Sequence, residues 1–362
     1  MRAMVRHKNR LSLADVASPV PGEGQALLAT LACGICGSDL HALHHLEEMM
    51  DAEREMESTL YADCSKPIIF GHEFCGEILD YGPATPKRLP VGTRVVAMPL
   101  IVDGQGTSCI GYSERYNGGF ADELIASSDF LLAVPNGLPS HIAALTEPMA
   151  VGRHAVGLAS FTSRSVALVV GCGPVGLAVI AALKQAGVGP IFASDLSPER
   201  LALAEKMGAD VLIDAKTDDL AAHWLRAEVA PNLGYFENAR FEGRLLRDAV
   251  VFECVGVPGM LDRLISTAPP AAQIIVAGVC MEPDQFRPIH ALRRELRLAF
   301  SYGYSPEEFA ASLDALAEGR IDAAALVTDR ISLEETGMAF ERLICSPRDA
   351  KVIVEPNRSP AA

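Results

Sequence analysis

The sequence is short of positive charge: 31 Lys and Arg stand against 46 Asp and Glu, a net charge of −15. Neither nucleic acid nor an anionic membrane surface would attract such a chain. Low-complexity tracts and internal repeats are also missing, so the chain reads as an ordinary globular protein. The amino terminus (MRAMVRHKNRLSLADV) has basic residues but no apolar h-region after them, and no signal peptide is expected. The nine cysteines are an odd number in a mid-sized chain without an export signal, which points to reduced thiols in a cytoplasm and not to a disulfide framework. No second pair follows Cys33 and Cys36, which argues against a zinc knuckle or redox dithiol, and Cys33 reads as core. What is present is 362 residues, 49% hydrophobic, enough for about two domains with a core each.

The most legible stretch runs from Ser165 to Arg200. Val166 to Val170 is a short apolar run suited to a strand buried on both faces. Gly171-Cys172-Gly173-Pro174-Val175-Gly176 follows with G-x-G-x-x-G spacing, and Leu177 to Gln185 continues as an alanine-rich helix closed by Gly187 and Gly189. A second strand, Ile191 to Ser194, leads into Asp195. Gly171 allows the tight turn, Gly173 lets the backbone approach a pyrophosphate, and Gly176 lets the helix pack on the strand. The free N–H groups at the helix start then hold the phosphates. Asp195, about 20 residues beyond the glycines, can accept from an adenosine ribose 2′-OH. Residues 166–183 carry no charge and are long enough for a membrane span, but three glycines and a proline favour strand, turn and helix instead.

Before this stretch, short alternating runs such as Leu11 to Val16 and Ala26 to Ala32, separated by Pro and Gly, suggest an antiparallel, barrel-like domain. Cys33 to His41 gathers Cys36, Ser38, Asp39 and His41 on a segment expected to be too glycine-rich for a regular helix. Leu43 to Cys64 is acidic, methionine-rich and free of Gly and Pro, and is predicted as an amphipathic helix, either packed on the surface or covering the active-site mouth. His44 and His45 are expected to face solvent. Lys66 to Gly82 reads as a strand pair carrying His72 and Glu73, and Met98 to Gly119 as a loop with one cysteine, Cys109. After Arg200, strands near 211–213, 249–253 and 273–279 alternate with helices, which means a parallel doubly wound sheet. Residues 217–248 read as a polar insertion. Strands near 326–331 and 351–354 follow a helix at 306–318.

Cys36, His72 and Glu147 are the sharpest chemical set outside the glycine loop. Thiolate, imidazole and carboxylate all suit zinc, and three protein ligands with an open position make a catalytic site. Sequence spacing alone does not bring them together. The motifs Gly34-Ile-Cys36-Gly-Ser38-Asp39-Leu-His41, Gly71-His72-Glu73, Gly118-Gly119-Phe120-Ala121, Glu147-Pro148, the glycine loop, Asp195 to Arg200 and Ala277-Gly278-Val279 together resemble the zinc-dependent medium-chain dehydrogenases, over nearly the whole length. These include alcohol, sorbitol and threonine dehydrogenases.

The resemblance implies an α/β fold with a GroES-like β-barrel catalytic domain, residues 1–150 completed by 301–362. A doubly wound Rossmann domain, 151–300, would lie between. It implies a dimer or tetramer acting on a small-molecule alcohol or carbonyl. Cys36 and His72 would be zinc ligands, with Glu147 near the metal and Glu73 as an alternative ligand. Asp39 would orient His72, Ser38 would take the alcohol proton, and His41 would pass it towards solvent. Arg200 would sit by the adenosine ribose, and Val175, Gly278 and Val279 in the cofactor cleft. Many members carry four close cysteines for a structural zinc in the loop matching 98–119. With Cys109 alone there, one catalytic zinc and no structural zinc are expected. Asp195 would repel a 2′-phosphate, so NAD is expected over NADP. The implied reaction is alcohol oxidation; a zinc carbonyl reductase and a silent dinucleotide-binding redox sensor are the alternatives.

Overall fold

A computed structural model describes residues 1–58, 60, 62–345 and 349–360. The chain divides into two compact units, Met1–Glu147 with Phe309–Ala362, and Pro148–Glu308. The first unit opens with β1 (Arg2–His7), β2 (Arg10–Asp15), β3 (Gln25–Gly34), β4 (Ile68–Ile69), β5 (Glu73–Tyr81), β6 (Arg94–Ala97), β7 (Leu100–Asp103), β8 (Gly106–Cys109), β9 (Glu123–Ser127) and β10 (Leu131–Ala133). The second holds β11 (Ser165–Val170), β12 (Ile191–Asp195), β13 (Val211–Asp214), β14 (Asp248–Glu253), β15 (Gln273–Val276) and β16 (Arg297–Phe300). The chain then returns with β17 (Val327–Ile331) and β18 (Lys351–Val354).

In the first unit β3 is the hub. Its sheet runs β10-β6-β5-β3-β18-β17, and β9 also pairs with β3. A second sheet, β2-β1-β4, and the hairpin β7-β8 complete the strands. Every pairing here is antiparallel except β17 with β18. The core gathers Leu28, Phe70, Phe74, Ile78, Phe120 and Phe340, all essentially without exposure. The predicted loop at 98–119 is therefore partly the β7-β8 hairpin: Gly104 sits in its two-residue turn, and the alternation of Leu100 to Asp103 allows pairing.

The helix expected from Leu43 instead spans Gly37–Glu55. Gly37 does not prevent it because the helix starts there, where Asp39 can serve the free N–H groups of the first turn. Leu43, Leu46 and Met50 are buried in the core of this unit, whereas Met56, beyond the helix, is 67% exposed. The segment is thus built into the core on one face. Thr59 and Tyr61, within the predicted helix, lie outside the described residues.

The second unit has one parallel sheet in the order β13-β12-β11-β14-β15-β16, the doubly wound arrangement with its switch point between β11 and β14. β11 is buried on both faces, as its apolar run predicts. The segment at 217–248 is not an insertion. Because β14 lies across β11 from β13, the chain must cross the sheet here, and it does so through helices Leu220–Arg226 and Leu233–Phe241. Trp224, the only tryptophan of the chain, is 1% exposed and packs on Phe192 with ring centroids 5.4 Å apart. Among the described residues no helix is long and apolar enough to cross a membrane.

Candidate functional site

In the first unit, β3 ends at Gly34 and the helix Gly37–Glu55 starts just after Cys36. Asp39, in the first helical turn, reaches back so that its Oδ2 accepts from the Cys36 N–H at 3.0 Å. This is the carboxylate half of a capping box, and it fixes Cys36 in place. The carboxylate is fully buried; its Oδ1 lies 3.3 Å from His72 Nδ1 and 2.9 Å from the Tyr112 hydroxyl. His72 immediately precedes β5, whose first residue, Glu73, pairs with Gly34. A Cβ on Gly34 would run into the Glu73 carboxylate, so only glycine leaves this space open. The pairing brings potential ligand atoms of Cys36, His72 and Glu73 within 4.8 Å of one another. Glu147 is buried in the first turn of the helix Thr146–Gly157 and stands outside that group.

Ser38 is half-buried, with its Oγ 2.9 Å from the Tyr112 hydroxyl. His41 is exposed on the same helix, and no hydrogen bond joins it to Ser38 among the described residues. Lys351, at the head of β18, is 3% exposed and donates to both Glu73 oxygens, at 2.7 and 2.8 Å, and to the Ile35 carbonyl at 3.2 Å. Burial works against charge on this ammonium, but Glu73 more than compensates and raises it above the ordinary lysine value.

These residues fit a divalent cation. Burial also opposes charge on His72, yet the Asp39 carboxylate and Cys36 beside it outweigh burial and lift the imidazole well above its ordinary value. A field that can hold a proton on a buried imidazole is one a metal ion would relieve. His72 Nδ1 faces Asp39 at ion-pair distance but at an angle short of a hydrogen bond, so it has no hydrogen-bond partner. One sulfur, one imidazole and one carboxylate are zinc donors. Cys109 is different: burial pushes its thiol up to about 12, which keeps it neutral.

The glycine loop lies in the second unit, between β11 and the helix Pro174–Gln185. Gly171 has φ +90°, a left-handed conformation that favours glycine. A Cβ on Gly176 would strike the Gly171 carbonyl, whereas one on Gly173 meets nothing within 4 Å, which leaves that approach to a ligand. Pro174 is the first helical residue and Val175 the second, half-buried. Asp195 closes β12; its Oδ2 accepts from Cys172 N–H at 2.7 Å and its Oδ1 from Ser197 N–H at 2.8 Å. Each oxygen keeps a lone pair for a ribose hydroxyl. Arg200 lies in the first turn of the next helix, Pro198–Met207, with its Nε buried and unbonded. At the end of β14, the buried Glu253 accepts from Val255 and Gly256 N–H at 2.7 and 2.9 Å, and Gly278 packs against that loop. Val279 next to it is 53% exposed.

Residues 174–318 match the zinc-binding dehydrogenase family and residues 22–136 the alcohol dehydrogenase GroES-like domain. The chain is 30% identical over 367 residues to the (R,R)-butanediol dehydrogenase of Bacillus subtilis (strain 168), covering 99% of this chain and 100% of that one. It belongs to the zinc-dependent medium-chain dehydrogenase family. The sorbitol dehydrogenase of the same Bacillus strain is 29% identical over 378 residues, covering 99% of this chain and 98% of that one. Among solved structures, a zinc-binding dehydrogenase of Sinorhizobium meliloti 1021 bound to NADP superposes with a TM-score of 0.79 at 25% identity, over 98% of this chain and 99% of that one. As a member of this family, the chain is an α/β oxidoreductase acting on CH–OH donors, with a GroES-like domain and a Rossmann-type parallel sheet.

Within the dehydrogenase framework, sequence reasoning missed Tyr112, Lys351 and Glu253. Tyr112 lies in the stretch taken for a plain loop. Lys351 offered a signal, a lone cation heading the apolar run Lys351-Val-Ile-Val354, whose strand flanks Gly34. Glu253 ends a buried strand, where a carboxylate needs a partner. Cys33 is buried as expected; by sequence Cys75, Cys172, Cys254, Cys280 and Cys345 also read as small buried hydrophobes, but of these only Cys75 and Cys172 are buried, whereas Cys254 is half-buried and Cys280 and Cys345 are exposed. His154 bonds Glu308 at 3.0 Å, a structural contact.

Proposed function

We propose that this dehydrogenase oxidises a secondary alcohol or polyol, with NAD as the hydride acceptor and one catalytic zinc per chain. The observation that carries the reading is the group of half-buried Cys36 and buried His72 and Glu73, with Asp39 and Ser38 beside it. Cys36 and His72 would hold the zinc, with the third position from Glu73 or Glu147. A thiolate and one carboxylate would balance its charge. When bound, the metal would supply Lewis acidity towards the substrate hydroxyl, and the nicotinamide supplies the redox chemistry.

The protein's own part is to hold and move a proton. Asp39 positions Cys36 and His72 together. Ser38 accepts the alcohol proton, and the exposed His41 hands it to solvent. The alcohol gives up that proton, and a hydride with its electron pair to the nicotinamide, and becomes a carbonyl. Asp195 favours a free ribose 2′-hydroxyl over a phosphate, and Arg200 flanks the same ribose. Similarity to dehydrogenases named for butanediol and sorbitol supports the substrate class. A homo-oligomer, dimer or tetramer, goes with this reading, and sedimentation velocity checks it.

The test is a screen of zinc-loaded protein against primary alcohols, secondary alcohols, vicinal diols and sugar alcohols with NAD and NADP, alongside elemental analysis. Secondary or polyhydroxylated substrates should reduce NAD at one zinc per chain. No turnover in any class would sink the reaction; a higher kcat/KM with NADP would sink the cofactor assignment, and two zincs per chain the one-site assignment.

A further inference from the structure

We infer that Glu253 is a positioning residue for the nicotinamide half of the cofactor, because its carboxylate shapes the two loops on which that half lies. The inference rests on the dinucleotide reading given above. Glu253 is the last residue of β14, beside the switch point, and is almost fully buried. A dinucleotide lies across the carboxyl ends of such a sheet at the switch point. Asp195 ends β12 and takes the adenosine side. The nicotinamide half therefore falls on the other side of β11, over the ends of β14 and β15.

Both loops there are tied to Glu253. Its Oε1 accepts from Val255 and Gly256 N–H, which turns the chain back after β14. Its main-chain carbonyl accepts from Ala277 and Gly278 N–H at 2.8 and 2.9 Å, which holds the loop after β15. The two loops then meet backbone to backbone. A Cβ on Gly256, whose φ is +69°, would come within 2.5 Å of the Val279 carbonyl oxygen. One on Gly278 would lie 2.4 Å from the Gly256 nitrogen and 2.5 Å from Glu253 Oε2. One carboxylate thus fixes the first loop by hydrogen bonds and the second by contact. Among the described residues no cation pairs with it, so the charge depends on the loop N–H groups and the loop depends on the charge. What the loops present is apolar: Val255 and Val279 are exposed, whereas Val250 and Val251 in the strand behind them are buried. Cofactor sites are walled mostly by such side chains.

Glu253→Ala removes the acceptor, whereas Glu253→Gln keeps an oxygen for the two N–H groups. Wild type and both variants, as full chains, are titrated by calorimetry with NADH and with ADP-ribose, which lacks only the nicotinamide ring. We expect Glu253→Ala to weaken NADH at least about tenfold, from the loss of two charge-assisted bonds, with ADP-ribose held within about twofold. Glu253→Gln should weaken NADH by only about threefold, since neutral bonds replace charged ones, again with ADP-ribose nearly unchanged. A merely structural role would move both ligands together. Unchanged NADH affinity in Glu253→Ala, or equal losses for the two ligands, overturns the inference. If Glu253→Ala does not fold, the same comparison is read on Glu253→Gln. A wild type that binds NADH no more tightly than ADP-ribose overturns the inference alone. A wild type that binds neither overturns the dinucleotide reading and the inference with it.

Discussion

Lys351→Met would remove the only ammonium among the described residues within reach of the Glu73 carboxylate while keeping the apolar stem. Both partners are almost fully buried, with side-chain exposures of 3% and 1%. Removing one member of such a pair leaves an uncompensated charge in the interior and costs about 3–5 kcal/mol. At about 2–4 °C per kcal/mol for a unit of this size, the transition of the first unit should fall by roughly 6–20 °C. The assay is thermal unfolding of zinc-free protein, wild type against Lys351→Met and against the double variant Lys351→Met, Glu73→Gln. The double variant should recover most of the loss, because the stranded charge is gone with its partner. Saturating zinc should shrink the deficit of Lys351→Met if Glu73 becomes a ligand, since the metal then supplies the missing positive charge. A zinc-free Lys351→Met that melts within about 2 °C of wild type, less than 1 kcal/mol for this size, would refute the reasoning.

Gly173→Ala should leave Tm unchanged, since a Cβ there meets nothing within 4 Å, yet weaken NAD binding at least about tenfold by intruding on the phosphates, measured by cofactor fluorescence titration. Gly176→Ala should instead destabilise the second unit, because its Cβ would strike the Gly171 carbonyl. Asp195→Ala removes two acceptors of backbone N–H groups as well as a ribose contact; at roughly 1.5–3 kcal/mol for a charge-assisted bond, kcat/KM with NAD should drop about 10–100-fold and with NADP by less. Cys36→Ser should reduce zinc per chain to near zero by elemental analysis while NAD affinity stays within about twofold of wild type. Glu73→Gln and Glu147→Gln, compared for zinc retention against a chelator, should identify the third ligand by which of them releases metal.

Legibility followed the range of the interactions. The glycine loop, Asp195 and the parallel strands were readable because turn, helix start and buried run are local and consecutive. Cys36 and Asp39 were readable as chemistry but not as a helix start: the glycines on either side of Cys36 argued for a loop, and only the back-bond from Asp39 to Cys36 shows why a helix can begin there. The 217–248 segment misled because Arg226, Arg240 and Arg244 are exposed along a crossover whose buried anchors, Trp224, Val229, Ala230 and Ala239, are few and scattered through a polar run. Tyr112 and Lys351 stayed hidden for another reason. Their meaning depends on partners 74 and 278 residues away, and no period or spacing records such a pairing.

The second unit is one uninterrupted stretch, while the first is cut in two by it. On a ribosome this sets an order. The nucleotide-binding sheet can close as soon as Glu308 has emerged, but the Cys33–Gly34 end of β3 waits for β18 to pair with it. Some 200 further residues must be made after Glu147 before Lys351 appears, about 10–40 s at typical elongation rates. For that interval Glu73 belongs to a sheet whose β3 is open on one side at its Cys33–Gly34 end, and the carboxylate destined for the interior has no cation. The strand that closes this edge is also the one that delivers the lysine. Edge protection and charge neutralisation therefore arrive in a single late event, and the nascent chain is most exposed to aggregation just before it.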